Sequence, residues 1–317
     1  MNNFENNKRY YTLNNFYKQT FGCKVFKVSL NGGFTCPNID GTVGVGGCLY
    51  CSSKGSGDFA GDKNDDLLTQ FNETKILLDK KWPNGKYIAY FQANTNTYAP
   101  VERLEKLYSE ALAIDNVIGL SVSTRPDAIT DDTLDFLTEL SKKTFLTVEL
   151  GLQSIHNETL ELINRGHDFE CFHATYTKLR ERGINVVVHI INGLPYESNE
   201  MMLETARYLS EINPQGVKIH MLHVLKNSPM ADFYENNKFH ILTRDEYVDI
   251  VCDQLEILRD NIVIHRITGD ADFAQLVEPQ WIKKKFCVMN EIDKELRRRD
   301  TYQGRKSNVL TYERVNL

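Results

Sequence analysis

The chain has no histidine between Phe34 and His156, no long apolar run and no apolar segment near its start. Each absence excludes something. A bilayer-spanning helix needs roughly 20 consecutive apolar residues, and nothing in the sequence approaches that. The Asn-rich, polar N-terminus lacks the apolar core of a secretory signal. Seven cysteines in 317 residues without such a signal suit a reducing compartment, here the cytoplasm, rather than a disulfide framework. A zinc knuckle wants a fourth Cys or His close to its other ligands, and the stretch richest in cysteine has no histidine near it.

That stretch carries Cys36, Cys48 and Cys51, in the runs Cys36-Pro37-Asn38-Ile39-Asp40-Gly41 and Gly46-Gly47-Cys48-Leu49-Tyr50-Cys51. It follows a predicted strand and is rich in glycine. Three thiolates can hold three corners of a [4Fe–4S] cube and leave the fourth iron without a protein ligand. An iron with an open position can bind and activate a second cofactor. The remaining cysteines, Cys23, Cys171, Cys252 and Cys287, share no ligand spacing and read as small buried hydrophobes or inert thiols.

The net charge of −6 is unevenly spread. Residues 1–27 carry about +4 and residues 283–306 about +5, so two basic ends flank an acidic middle. Tyr10, Tyr11, Phe16, Tyr17 and Phe21 accompany the first, and Trp281, Phe286 and Tyr302 the second. Cations interleaved with rings suit phosphates and unstacked bases. An ordinary solvated surface with a few packing aromatics accounts for them equally well.

Between the ends, short β-branched runs alternate with longer amphipathic stretches. The pattern predicts strands at Lys24–Leu30, Tyr87–Ala93, Val117–Ser123, Leu146–Leu152, Asn185–Ile191 and Gly216–Leu222. It predicts helices at Asp65–Lys81, Val101–Ala113, Asp131–Lys142, Thr159–Asn164, Phe169–Arg182 and Glu200–Ile212. Thr130 and Ser198 read as caps, and Gly183 and Gly216 as helix stops. Six βα units in a row predict parallel strands with right-handed crossovers and an open partial barrel. The boundaries that follow are 1–23 for a basic, aromatic segment and 24–260 for the barrel. Residues 261–317 form a packed extension with one more strand at Asn261–Thr268 and a basic helix at Trp281–Arg299. Polar residues gather at the strand ends, where such barrels collect function. They include Asn94 and Thr95, Ser123, Glu149 and Gln153, His189, and the series Lys218, His220, His223. Any one of these could be a satisfied core polar group, but consecutive polar strand ends point to a site.

The three cysteines, Gly151-Leu152-Gln153-Ser154, Asn164-Arg165-Gly166-His167, Asn192-Gly193-Leu194-Pro195, Ile267-Thr268-Gly269-Asp270 and Lys283-Lys284 together resemble the radical S-adenosylmethionine (SAM) enzymes. The similarity is to the Elongator-catalytic-subunit-like subgroup, of the bacterial YhcC/YtqA type, and covers about residues 8–310. Eleven residues separate Cys36 from Cys48, a longer gap than the superfamily usually has and one that this subgroup shares.

The resemblance implies an α/β partial (β/α)6 TIM-like barrel of radical SAM type with a basic C-terminal extension. It implies a [4Fe–4S] cluster on Cys36, Cys48 and Cys51 and SAM held by Tyr50, Asn94, Thr95, Ser123, Glu149, Gln153, Arg165 and His189. It further implies reductive SAM cleavage, a one-electron reductant of flavodoxin or ferredoxin type, and tRNA as substrate. The expected chemistry is at the C5 substituent of the wobble uridine, from carboxymethylaminomethyl to aminomethyl. Lys8, Arg9, Lys283, Lys284, Lys285, Arg297, Arg298 and Arg299 are the expected phosphate contacts. Two alternatives stay open. One is a radical SAM enzyme acting on a small metabolite or peptide. The other is a non-enzymatic iron–sulfur protein that binds RNA or senses redox state.

Overall fold

Capped amphipathic stretches and β-branched runs resolve into alternating helices and strands. The computed structural model describes Phe4, residues 8–52, 54–55, 57–83 and 85–307. Helix α1 (Leu13–Phe21) leads into β1 (Val25–Leu30). There follow α2 (Leu67–Asp79), β2 (Lys86–Phe91), α3 (Val101–Leu112), β3 (Val117–Thr124), α4 (Asp131–Ser141) and β4 (Phe145–Gln153). Next come α5 (Asn157–Leu162), α6 (Phe169–Glu181), β5 (Asn185–Asn192), α7 (Asn199–Ile212) and β6 (Gly216–Met221). The chain continues through β7 (Val224–Leu225), α8 (Pro229–Asn237), α9 (Arg244–Ile257), β8 (Val263–Arg266), β9 (Leu276–Glu278) and α10 (Lys285–Arg298).

The main sheet runs in the order β1-β2-β3-β4-β5-β6-β8. The pairings β1 with β2, β2 with β3, β3 with β4 and β6 with β8 are parallel. Strands of a parallel sheet are covered on both faces, which is why β2 and β4 read as nearly continuous buried runs. The six expected strands all appear. Segment 263–266 is a seventh strand of the same sheet, in register with β6.

Helix starts follow the expected chemistry. The Thr130 and Ser198 hydroxyls accept from the backbone N–H groups of Thr133 and Met201. After α6 the chain turns at Gly183, whose φ of +74° a side chain would disfavour. Helix α7 stops on a left-handed Asn213, not on Gly216, which opens β6. The expected helix at Trp281–Arg299 is instead a 3₁₀ turn, Gln280–Lys284, followed by α10. Helices α8 and α9 lie where the sequence analysis named none. Thr243 and Glu246 form a reciprocal capping box at the start of α9.

The chain divides into two compact units. One comprises Tyr17–Gly151 and Asn164–Val187 and holds the cysteine loop, β1 to β3 and nearly all of β4. The other comprises Met1–Phe16, Leu152–Ile163 and Val188–Leu317 and holds β6, β8 and helices α7 to α10. In this second unit the N-terminal segment joins the C-terminal one. Ile264 N–H donates to the Tyr11 carbonyl at 2.8 Å, and Gln303 N–H to the Arg9 carbonyl at 2.9 Å.

Candidate active site

The cysteine loop is two turns joined by a short hairpin. The Cys36 carbonyl accepts from the N–H groups of Ile39 and Asp40 at 2.9 and 3.2 Å. Cys51 N–H donates to the Cys48 carbonyl at 3.0 Å. Between them an antiparallel bridge joins Asp40 to Val45, so the long gap between the first two cysteines folds back on itself. Gly46 and Gly47, with φ of +83° and +77°, let the chain re-enter beside Asn38, whose carbonyl accepts from Gly47 N–H at 2.8 Å.

Cys48 is buried and ringed by donors. Its Sγ lies 3.5 Å from Arg165 Nη1, 3.8 Å from Arg125 Nη1 and 3.6 Å from Asn38 Nδ2. A hydrogen bond with Cys51 and the charges of Arg165 and Arg125 hold the Cys48 thiol well below its ordinary range, against the opposing effect of burial. The ring is itself braced. Arg125 Nη1 donates to the Arg165 carbonyl at 2.8 Å, and its other nitrogens grip Asp127 at 2.9 and 2.7 Å. Arg165 Nη2 donates to the Gly151 carbonyl at 2.9 Å. Asn38 Nδ2 donates to the Asn164 carbonyl and Asn164 Nδ2 to the Gly47 carbonyl, both at 2.7 Å. Gly166, at φ +77°, is required here: a Cβ would lie 2.5 Å from Asn38 Oδ1.

This donor set fits an anionic iron–sulfur cluster. Thiolate, not thiol, is the ligand, and N–H groups aimed at the sulfur stabilise the added negative charge. Arg165 Nε and Asn38 Oδ1 are buried with no hydrogen-bond partner. Among the described residues no three His, Cys, Asp or Glu side chains converge on a single metal ion. A cube takes each thiolate on a different iron, so its ligands need not converge in that way.

Of the residues expected to hold SAM, several are tied to the ends of this loop. Asn94, at a left-handed φ of +62°, donates from Nδ2 to the Phe34 carbonyl at 3.0 Å. Its N–H donates to the Gly55 carbonyl at 2.8 Å, and buried Thr95 donates its N–H to the Thr35 carbonyl at 3.1 Å. Tyr50 occupies the turn between Cys48 and Cys51. Burial pushes its hydroxyl well up, while Arg165 pulls it the other way. The Ser123 carbonyl accepts from Asn96 Nδ2 at 2.8 Å. Glu149 is fully buried, and its Oε1 takes an ion pair from Lys27 and a hydrogen bond from Ser121 at 2.6 Å. Its charge is thus balanced within the strands themselves. Gln153 and His189 belong to the other unit. Gln153 ends β4 in a left-handed conformation at φ +74°, and the His189 ring stands 5.8 Å from that of His220.

Arg125, Asn38, Asn164 and Lys27 were not singled out from the sequence. Arg125 at the end of β3 carried a usable signal: an Arg-Pro-Asp run closing an apolar strand needs a polar reason to be there. Asn38 and Asn164 lay inside the quoted motifs but declared no partner.

The expected phosphate contacts fare differently. Lys8 is paired with Asp293, and Arg9 with Asp300 at 3.0 Å. Arg298 pairs with Glu295 at 2.6 Å, and Arg299 with Glu295, Asp249 and Asp253 at 2.6 to 2.7 Å. Arg297 also has an interaction with a neighbour. Lys283 and Lys284 are exposed on the 3₁₀ turn, and the side chain of Lys285 lies outside the described residues. Of the accompanying aromatics, Tyr10, Tyr11 and Tyr17 are core residues, while Phe286 is 78% exposed. Packing thus claims most of the N-terminal rings.

No helix among the described residues is long and apolar enough to cross a membrane.

The model of the radical SAM superfamily matches residues 41–209, and that of a radical SAM C-terminal domain matches residues 214–298. The chain is 53% identical to YtqA of Bacillus subtilis over 298 residues, covering 94% of this chain and 92% of the relative. It is 26% identical to a tRNA uridine(34) acetyltransferase of Methanocaldococcus infernus, over 56% of this chain and only 34% of that protein. The structure of Methanocaldococcus infernus Elp3 with an N-terminal deletion superposes with a TM-score of 0.68 at 18% identity, over 89% of this chain and 64% of the other. That likeness shows the fold: a radical SAM partial TIM-like barrel, here with β8 as its seventh strand. Membership makes the chain an enzyme whose cofactors are a [4Fe–4S] cluster and SAM, and it removes the non-enzymatic alternative. With a family model over more than half its length and a relative of such identity, the chain belongs to the radical SAM superfamily, in its Elongator-catalytic-subunit-like subgroup.

Proposed function

We propose that Cys36, Cys48 and Cys51 hold the cluster and that the enzyme modifies the C5 substituent of the wobble uridine of tRNA. The observation that carries the first part is the ring of Arg125, Arg165 and Asn38 around the Cys48 sulfur. Bound there, the cluster and SAM supply a 5′-deoxyadenosyl radical able to take hydrogen from an unreactive C–H bond. The protein's task is to favour the thiolate of Cys48, to fix the loop through Asn94 and Thr95, and to leave polar groups for the SAM zwitterion. Tyr50, Ser123, Glu149, Arg165, Gln153 and His189 remain the candidates for SAM contact that the resemblance supplies.

The tRNA assignment is supported by the relative named a tRNA uridine(34) acetyltransferase and by the exposed Lys283 and Lys284. The concrete form is conversion of 5-carboxymethylaminomethyluridine to 5-aminomethyluridine. This is a two-electron oxidation of the N–CH2 carbon followed by addition of water, which releases glyoxylate and leaves the amine. The hydrogen atom and the electron taken from that carbon are what radical SAM chemistry can accept. The reaction needs a one-electron reductant of flavodoxin or ferredoxin type and a reducing compartment, the cytoplasm. The test is mass spectrometry of tRNA nucleosides from cells lacking the protein. The carboxymethylaminomethyl form should accumulate at the expense of the aminomethyl form, and unchanged nucleosides would refute the assignment.

A small metabolite or peptide is the second candidate substrate. The internal pairing of Lys8, Arg9, Arg298 and Arg299 favours it, because those cations are already answered by carboxylates.

A further inference from the structure

Helix α2 is apolar on two sides. Leu67 and Phe71 are buried, while Leu68, Ile76 and Leu77 on the outer side are 51 to 64% exposed. A surface helix ordinarily keeps its outer face polar, and one that is apolar all round is ordinarily covered. Leu68, Asn72, Ile76 and Lys80 follow one another at four-residue intervals, so they form a single outer stripe. Just past the helix, the half-exposed Trp82 extends the patch, with Lys24 and Lys81 at 5.9 and 6.0 Å from the centre of its ring. Lys80 and Lys81 are exposed and make no ion pair among the described residues. With Lys24 they outweigh the exposed Glu73, so the patch is apolar and basic.

Helices α2, α3 and α4 each link neighbouring parallel strands, so right-handed crossovers set them side by side on one face of the sheet. Beside α2, helices α3 and α4 flank a groove of about 1130 Å³. Its floor includes the half-buried Val101, Leu112, Phe136 and Leu140. Its walls carry Glu102, Glu105, Asp132, Asp135 and Glu139 against Lys143. Arg182 answers Asp135 at 2.7 Å, and Lys142 answers Glu139 at 2.6 Å. Glu102, Glu105 and Asp132 are exposed and make no ion pair among the described residues. An apolar floor between acidic walls complements the α2 patch in both chemistry and charge, the combination that helix-in-groove docking uses.

We propose that the outer face of α2 docks into the α3–α4 groove of a second copy of this chain. Leu68, Ile76 and Leu77 cover the floor, and Lys80 and Lys81 face the unpaired carboxylates of the walls. Charge complementarity selects this occupant, and the same acidic walls repel a nucleic acid. Because patch and groove are neighbours on one face, a two-fold axis along the helices lets each copy supply both halves. The assembly then closes as a dimer.

The test is sedimentation equilibrium of the cluster-loaded full chain over a range of protein and salt concentrations. A dimer is expected, and added salt should weaken it because its rim is ionic. Leu77→Asp should raise the dissociation constant at least about tenfold. So should Lys80→Glu with Lys81→Glu, and so should Glu102→Lys with Glu105→Lys. All four charge reversals in one chain restore attraction across the contact and should recover most of the loss. The changed side chains are exposed, so unfolding midpoints close to wild type separate loss of the contact from loss of the fold. A chain that is monomeric at every concentration overturns the contact, as does a dimer that survives Leu77→Asp and both pairs of reversals. Charge reversals that weaken the dimer singly and weaken it further together show that the two surfaces do not meet, and overturn it too. A mass that keeps growing with concentration overturns the two-fold closure.

Discussion

One guanidinium serves two masters: Arg165 Nη1 lies 3.5 Å from Cys48 Sγ, while Nη2 holds the Gly151 carbonyl of β4 at 2.9 Å. The motif residue expected to contact SAM is thus first a neighbour of Cys48, the buried cysteine proposed as a cluster ligand. Arg165→Ala should therefore lower cluster content as well as SAM affinity.

Arg125 isolates the electrostatic part of this arrangement. Arg125→Met removes a cation 3.8 Å from the Cys48 sulfur and a hydrogen bond to the Arg165 carbonyl. A hydrogen bond involving a charged group is worth about 1.5–3 kcal/mol. The reduced cluster, being more negative, loses more than the oxidised one. The reduction potential should fall, as read by a redox titration followed by electron paramagnetic resonance. An unchanged potential would mean that Arg125 only braces the loop.

The Lys27–Glu149 pair joins β1 to β4 with Glu149 fully buried. Removing one partner of a buried pair strands the other charge and costs about 3–5 kcal/mol. Lys27→Met should destabilise the fold by that order in denaturant unfolding, and adding Glu149→Leu should recover most of the loss. Comparable stability of the single variant would show that Glu149 takes its stabilisation from elsewhere.

Much of this was legible in the sequence because local signals decide strands and helices. The pattern predicts a strand at Val117–Ser123, and β3 runs Val117–Thr124; it predicts a helix at Phe169–Arg182, and α6 runs Phe169–Glu181. The turns of the cysteine loop were legible because its glycine and cysteine spacing is itself local. What escaped was long-range pairing. Arg299 meets Asp249 and Asp253 about a turn of α9 apart, and Lys8 meets Asp293 across almost the whole chain. Counting charges along the sequence could not reveal that these cations are already answered. Arg125 and Asn38 escaped likewise, since their role exists only once β3, the loop and Arg165 are brought together.

Acid should weaken the fold before carboxylates titrate. His223 has its pKa pushed from 6.5 down to about 4, chiefly by burial. The unfolded chain binds that proton first, so stability rises with pH between about 4 and 6.5 and is lost as pH falls through that window. The contribution is at most about 3 kcal/mol. His223→Gln should flatten the pH dependence of the unfolding midpoint across that range. An identical profile would place the acid sensitivity in other groups.

Lys283 and Lys284 are the cations to change in testing tRNA binding. If they touch phosphates, Lys283→Ala with Lys284→Ala should weaken binding and reduce the salt slope by about 0.7 for each contact with a single strand. Arg299→Ala should alter stability more than the slope, because its charge is spent on Asp249, Asp253 and Glu295. No tRNA affinity at low salt would make the metabolite or peptide the better substrate.

The central claim is that SAM is cleaved at a cluster held by Cys36, Cys48 and Cys51. The direct measurement is 5′-deoxyadenosine formed from SAM by anaerobically reconstituted protein on reduction with dithionite. The wild-type chain should form it. Cys36→Ala, Cys48→Ala and Cys51→Ala should each lose the cluster and form none, while Cys252→Ala should still form it. Undiminished 5′-deoxyadenosine and full iron content in Cys48→Ala would contradict the account.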